Sequence, residues 1–303
     1  MAHVFDEEDA GITTITEAVI RTVAYADVFD FPLRAGEIHR YLVGPKVAAS
    51  TINNLLSNGH LVPAHLAHQD EYFTLPGREN IVQTRRQRAA AAAALWPLTI
   101  RYGQLIARLP FVRMVAVTGS LAVNNADAHA DLDYLIVTAN DRVWLARAAI
   151  ILLVRLARRR HRVELCPNFV VSERALTFPQ TLYNAREIAQ MVPLAGMETY
   201  ARLRERNAWT ASFLPNARGV PDAGIPPLPT NTHTTRLTRL AEHLLASSLG
   251  NALEKWEMRR KIRKFSQLTT PGSEANFTAD WCKGHFQDHS QRIMNAYQQR
   301  IRE

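Results

Sequence analysis

The chain has 303 residues, 47% hydrophobic and 21% charged, with two cysteines and a formal net charge of +8. That length suits two or three modest domains, and the composition excludes wholesale disorder and a disulfide framework. The positive surplus is compatible with a nucleotide, a nucleic acid or an acidic surface, and equally with a plain soluble protein.

The first residues soon turn acidic (Asp6, Glu7, Glu8, Asp9), so no signal peptide is expected. The longest apolar run, Val143 to Ala157, is too short to span a bilayer and holds Arg147 and Arg155. It reads as a buried helix, and no membrane partner is expected. Two isolated thiols, Cys166 and Cys282, point to a reducing, cytoplasmic setting.

In chain order, the first block covers residues 12–78. Ile15, Val19 and Val23 recur at helical spacing, and Phe31-Pro32 ends that helix. A second short helix carries Ile38, Tyr41 and Leu42; a third runs from Ala48 to Ser57, with Gly59 as its stop. Leu61-Val62 and Tyr72 to Leu75 read as two short strands. Three helices and a hairpin make a winged-helix pattern. The third helix carries no Arg or Lys, and phosphate contacts need basic side chains. Sequence-specific DNA binding is therefore not expected, and a packing or substrate-positioning role is favoured.

Residues 79–110 form an alanine- and arginine-rich linking helix, about Ile81 to Leu109. Residues 111–178 alternate strand and helix: a strand from Arg113 to Thr118, a turn at Gly119-Ser120 into a short helix, a strand from Leu132 to Thr138, the apolar helix, and a strand from Arg162 to Val171. That predicts a small α/β sheet covered on one side. Residues 179–303 read as a helical C-terminal region after a proline-rich connector, Pro221 to Pro229. Leu237, Leu240, Leu244, Leu249 and Leu253 lie on a broad apolar stripe there. The whole is an α+β fold: winged-helix module, small sheet domain, helical C-terminal region.

The chemistry concentrates at Gly119-Ser120 and at Asp131-Leu132-Asp133. Two aspartates two apart on a strand share a face, and a pair of carboxylates with substrate phosphates is a hard-oxygen site for Mg²⁺ or Mn²⁺. Glycine permits a tight turn and close approach of a phosphate; the serine hydroxyl and nearby amides can donate to phosphate oxygens. The bland alternative is a strand with two solvated aspartates after an unrelated turn. No P-loop, Rossmann, zincin or α/β-hydrolase motif is present.

This hG[GS]…DxD pattern resembles the DNA polymerase β-like nucleotidyltransferases, which include kanamycin nucleotidyltransferase and polynucleotide-adding enzymes. The motif covers about residues 112–138. More widely, Pro110 to Ala122, Leu165 to Phe169 and Cys282 to Phe286 are similar to bacterial proteins known only as nucleotidyltransferase-domain proteins. The resemblance implies that Asp131 and Asp133 hold Mg²⁺ or Mn²⁺ and that Gly119 and Ser120 hold the phosphates of an NTP, ATP being the expected one. It implies NMP transfer to an acceptor (small molecule, protein or RNA) with release of pyrophosphate. A third catalytic carboxylate is usual on a later strand, and Glu164 is the candidate. The alternatives are a winged-helix regulator or nucleotide-binding module whose nucleotidyltransferase domain is degenerate, and a scaffold without ligand.

Three further features stand apart. Cys282, His285 and His289 have the spacing of three zinc ligands on one helix face, without an evident fourth; the favoured reading is a helix that packs near the nucleotide site or forms a local hydrogen-bond network, with Lys283 and Arg292 within reach of phosphates. Arg158 to Arg160 and Arg162 read as a solvated helix end. The stretch Lys255 to Lys264 is either a solvated helix face or an anion-binding surface.

Overall fold

The computed structural model describes residues 2–59, 61–161, 165–225, 235–267, 275–284 and 289–302. Three helices open the chain: α1 (Ala2–Asp27), α2 (Ala35–Arg40) and α3 (Ala49–Ser57). Strands β1 (Ala67–Gln69) and β2 (Tyr72–Thr74) then pair antiparallel. Val19, Val23, Ile38, Ile52, Leu55 and Phe73 close a separate small core among them. The expected strand at Leu61-Val62 does not form. Pro63 has no N–H for a ladder, and the segment instead turns back, with the amides of His65 and Leu66 both donating to the Leu61 carbonyl at 2.9 Å. Leu61 and Leu66 thereby enter the core as turn residues.

The linking helix α4 (Ile81–Ala107) leads into β3 (Val112–Val117), β4 (Leu132–Thr138), α5 (Val143–His161) and β5 (Leu165–Ser172). After these come α6 (Leu182–Gln190), β6 (Val192–Ala195), α7 (Met197–Arg206), α8 (Arg236–Leu245), α9 (Ser248–Ser266), β7 (Asn276–Phe277), β8 (Trp281–Lys283) and α10 (His289–Arg302). One sheet of order β6-β3-β4-β5-β8-β7 results. The β4–β5 pair is parallel and the other neighbours are antiparallel.

The sheet is not confined to residues 111–178, because β6, β7 and β8 come from later in the chain. Nor is it covered on one side only. Val115, Val117, Tyr134 and Ile136 pack towards α4 and α5, while Met114, Ala116, Leu135 and Val137 pack beneath Ile188, Tyr200 and Leu203 of α6 and α7. A strand with four consecutive apolar, buried residues, Met114 to Val117 in β3, is the mark of a sheet buried on both faces.

The run Val143–Ala157 is a helix but is not wholly buried: Leu152 and Leu156 of α5 are exposed. Residues 281–283 are a strand and not the start of a helix, so neighbouring side chains there point to opposite faces. Cys282 enters the α5 side of the sheet, and His289 lines a cavity on the other side; His285 lies outside the described residues. The two described members of the C-x₂-H-x₃-H set therefore do not converge. No described helix is long and apolar enough to cross a membrane.

One buried carboxylate ties the N-terminal helices to the C-terminal one. Asp27, with its side chain 1% exposed, accepts from Arg78 at 2.9 Å and from Arg300 at 2.7 Å. α1 and α10 are thereby clamped together, with Tyr25 stacked edge-on against Tyr297 at 5.4 Å. Replacing one member of a buried ion pair leaves its partners uncompensated. Asp27→Ala is expected to lower stability by about 3 kcal/mol, with Asp27→Asn in between. Urea unfolding checks this, and an unchanged midpoint in Asp27→Ala would refute the clamp.

Candidate functional site

The antiparallel β3–β4 pair sets the geometry. Val117 pairs with Tyr134, and the Thr118 amide donates to the Asp133 carbonyl at 3.0 Å. The chain leaving β3 thus turns directly beside the beginning of β4. Gly119 makes that turn with φ +65°, and a Cβ placed on it would stand 2.6 Å from Asp133 Oδ2. A side chain there would strain the backbone and would have to push the Asp133 carboxylate aside. Ser120 follows, exposed, and opens a single 3-10 turn, Leu121–Val123.

Asp133 and Leu135 project from β4 to the side opposite α4 and α5, because β4 alternates and its Leu132, Tyr134 and Ile136 occupy the other core. Cys166 lies opposite Asp133 in the parallel register, and the register then slips before Leu135 meets Phe169. The slip falls at Pro167 and Asn168, and Pro167 has no N–H to give to a ladder.

A cavity of about 390 Å³ opens over this corner. Its floor is Thr118, Gly119, Ser120, Asp133 and Leu135. Phe169 and Lys283 come from β5 and β8, and Tyr183, Arg186 and Glu187 from α6. Tyr25 and Phe29 reach in from the first block, and His289 and Ile293 from α10. Few polar groups set among apolar and aromatic walls is the usual make-up of a small-molecule site, and the volume lies within the ordinary range.

Of the residues expected from sequence, the fold gathers Gly119, Ser120 and Asp133 at one cavity, with Lys283 facing in from the far strand. Asp131 sits one residue before β4, exposed, and is not part of the lining. Glu164 lies outside the described residues. Glu173 pairs with Arg202 and, at 4.0 Å, with Arg113, away from the cavity. Arg292 is exposed and is not a lining residue.

Sequence reasoning missed Glu187. It stands half-buried on α6, near enough to the backbone amide of Gly119 to feel its pull. Its carboxylate accepts from Gln190 Nε2 at 2.8 Å. Gln190 Oε1 in turn accepts from Arg186 Nε at 3.2 Å, and the Arg186 guanidinium lies 3.4 Å above the Tyr41 ring. Burial pushes the Glu187 carboxyl up to about 7, against the opposing pull of Arg186, the Gly119 amide and Lys283. A signal was present: Tyr183, Glu187 and Gln190 recur at helical spacing, a polar stripe beside the apolar Leu182, Ala185 and Ile188. Asn125 was missed too. It is 7% exposed, its Nδ2 donates to the Phe29 carbonyl at 3.0 Å, and its Oδ1 has no partner among the described residues. It therefore fastens the Gly119 turn to the first block and presents a buried acceptor beside the cavity.

The raised Glu187 has a measurable consequence. In the folded chain it keeps its proton up to about pH 7, whereas the unfolded chain releases it near the ordinary value of 4.5. The folded state thus binds the extra proton in that window, and this contribution to stability is lost as pH rises through it. Glu187→Gln cannot titrate and should flatten that part of the thermal-midpoint profile; an identical slope in the variant would show that Glu187 does not titrate in this range. No family model, curated protein or solved structure matches the chain.

Proposed function

We propose that the chain is a metal-dependent nucleotidyltransferase of the DNA polymerase β-like kind. It would move an NMP from an NTP, ATP by expectation, onto a hydroxyl or phosphate acceptor and release pyrophosphate. The carrying observation is that the Gly119–Ser120 bend and the Asp133 carboxylate meet at the floor of one cavity lined by aromatic rings.

Each part has a role in that reading. Gly119 lets a phosphate approach the backbone with no Cβ in the way, and the exposed Ser120 hydroxyl can donate to a phosphate oxygen. Lys283 adds a cation two strands away on the same sheet, and Tyr25, Phe29 and Tyr183 offer apolar faces for a base. Among the described residues no three His, Cys, Asp or Glu side chains gather as a ligand set. The donor set described there fits Mg²⁺ or Mn²⁺ held by Asp133, with Asp131 nearby in sequence, and by the substrate's own phosphates. When bound, the ion neutralises phosphate charge. The protein's part is to hold the triphosphate against the bend, keep the base between apolar walls and limit water within the cavity.

The three helices and hairpin of the first block, read as a winged helix, supply Tyr25, Phe29 and Phe31 to the wall. This favours a substrate-positioning role for the block over DNA reading. A second reading, a nucleotide sensor without turnover, is favoured by one observation: Asp131 is exposed and outside the lining. Pyrophosphate release separates the two.

Titration calorimetry with ATP and Mg²⁺ tests the binding step. The intact chain should bind, and Asp133→Ala should weaken binding by about tenfold or more, the loss of one charge-assisted contact. Absence of binding by the intact chain, or equal binding by the variant, would contradict the proposal.

A further inference from the structure

Helix α8 is mounted with its apolar side outward. Its inward side is polar: Thr238 is buried and donates to the Arg108 carbonyl at 2.9 Å, and Glu242 accepts from Arg113 at 2.9 Å and from the Phe111 amide. Leu237, Leu240 and Leu244, spaced three and four apart, face solvent, Leu237 being 79% exposed. α9 repeats the arrangement with Leu249, Leu253 and Trp256 exposed, and α5 with Leu152 and Leu156. α9 packs against both α5 and α8, so the three helices adjoin. Of the eleven exposed large hydrophobics among the described residues, eight lie on these helices. Scattered exposed leucines need no explanation, but a concentration of this kind marks an interaction surface.

The charges on the same helices are sorted by side. Their acids are turned inward: Glu254 accepts the amides of Trp144 and Leu145 at 2.9 and 2.7 Å, and the buried Glu257 pairs with Arg260 at 2.7 Å. Glu242 is engaged as described. Most of the cations are outward: Arg155 and Arg159 at the end of α5, and Arg259, Arg263 and Lys264 on α9, are exposed, while Arg147 and Lys261 are partly buried. Along α9 the helical repeat sets Leu249, Leu253, Trp256, Arg260 and Arg263 on one face, apolar first and cationic after.

We propose that the α5–α8–α9 face docks on an anionic phospholipid surface, lying on the bilayer without crossing it. Leucines and a tryptophan beside arginine and lysine, on helices of low overall hydrophobicity, are the composition that settles at a headgroup–acyl boundary. The charge pattern disfavours the other occupants. A second copy would bring like charges together, and a nucleic acid would leave the leucines wet. The expectation of no membrane partner rested on the lack of a spanning segment, and a surface-lying face needs none.

The test is flotation of the full chain with vesicles of phosphatidylcholine, with and without phosphatidylserine. Binding should require phosphatidylserine and fall at high salt. Leu240→Ser/Leu244→Ser should abolish it, and Arg263→Glu/Lys264→Glu should weaken it about tenfold or more. Both variants change only exposed positions, and circular dichroism would verify that the fold is kept. Failure to float with either vesicle overturns the proposal, as does phosphatidylserine binding that survives the leucine substitutions. A doubled mass by light scattering, reversed by those substitutions and without vesicle binding, would overturn it in favour of a dimer.

Discussion

Everything at the candidate site depends on one backbone constraint, the antiparallel pairing of β3 with β4. Their ladder places the Thr118 amide on the Asp133 carbonyl, so the chain must turn at residue 119 within contact distance of the Asp133 carboxylate. Glycine meets the positive φ without strain and leaves the Asp133 carboxylate its space. The backbones of the acid and the bend are therefore held together by the sheet itself. That rigidity is what a phosphate-gripping corner requires, because a preformed site loses less to ordering when its ligand binds.

Around this corner the rest of the chain acts as a lid and a frame. α6 brings Glu187 near the Gly119 amide, β8 brings Lys283 to the same cavity from two strands away, and Asn125 ties the turn to the first block. Asp27 then locks α1 to α10, the two helices that close the cavity from the outside. Two carboxylates, Asp133 and Glu187, flank the same glycine, with Lys283 and Arg186 near. Such a corner is balanced electrostatically by its own groups, and a triphosphate entering it must displace or neutralise part of that balance. The raised Glu187 reflects its burial, which outweighs the pull of Arg186, the Gly119 amide and Lys283.

What was legible in the sequence was local. The β4 strand Leu132–Thr138 and the helix Ile81–Ala107 show their own periodicity, and the glycine and Asp133 stand out because neither residue type is at home in an apolar strand region. The first three helices were legible for the same reason. β6, β7 and β8 were not: they are two to four residues long, β6 contains Pro193, and only the sheet edge makes them strands. Glu187 was hidden because its neighbour, the Gly119 amide, is distant along the chain. The leucines of α8 were readable as a stripe, but not the side to which the stripe is turned, since that is decided by Thr238 and Glu242 finding polar partners on Arg108 and Phe111. The Cys282–His289 spacing suggested one helix face, and the strand at 281–283 separated them.

The central claim is that the Gly119–Ser120 bend and Asp133 share a nucleotide and its metal. The most direct measurement is a crystal structure of the chain grown with Mn²⁺ and a non-hydrolysable ATP analogue, with anomalous scattering used to locate the metal. The account predicts a manganese peak on the Asp133 carboxylate and triphosphate density against Gly119 and Ser120. A nucleotide bound elsewhere, or a manganese peak away from Asp133 with the cavity empty, would contradict it.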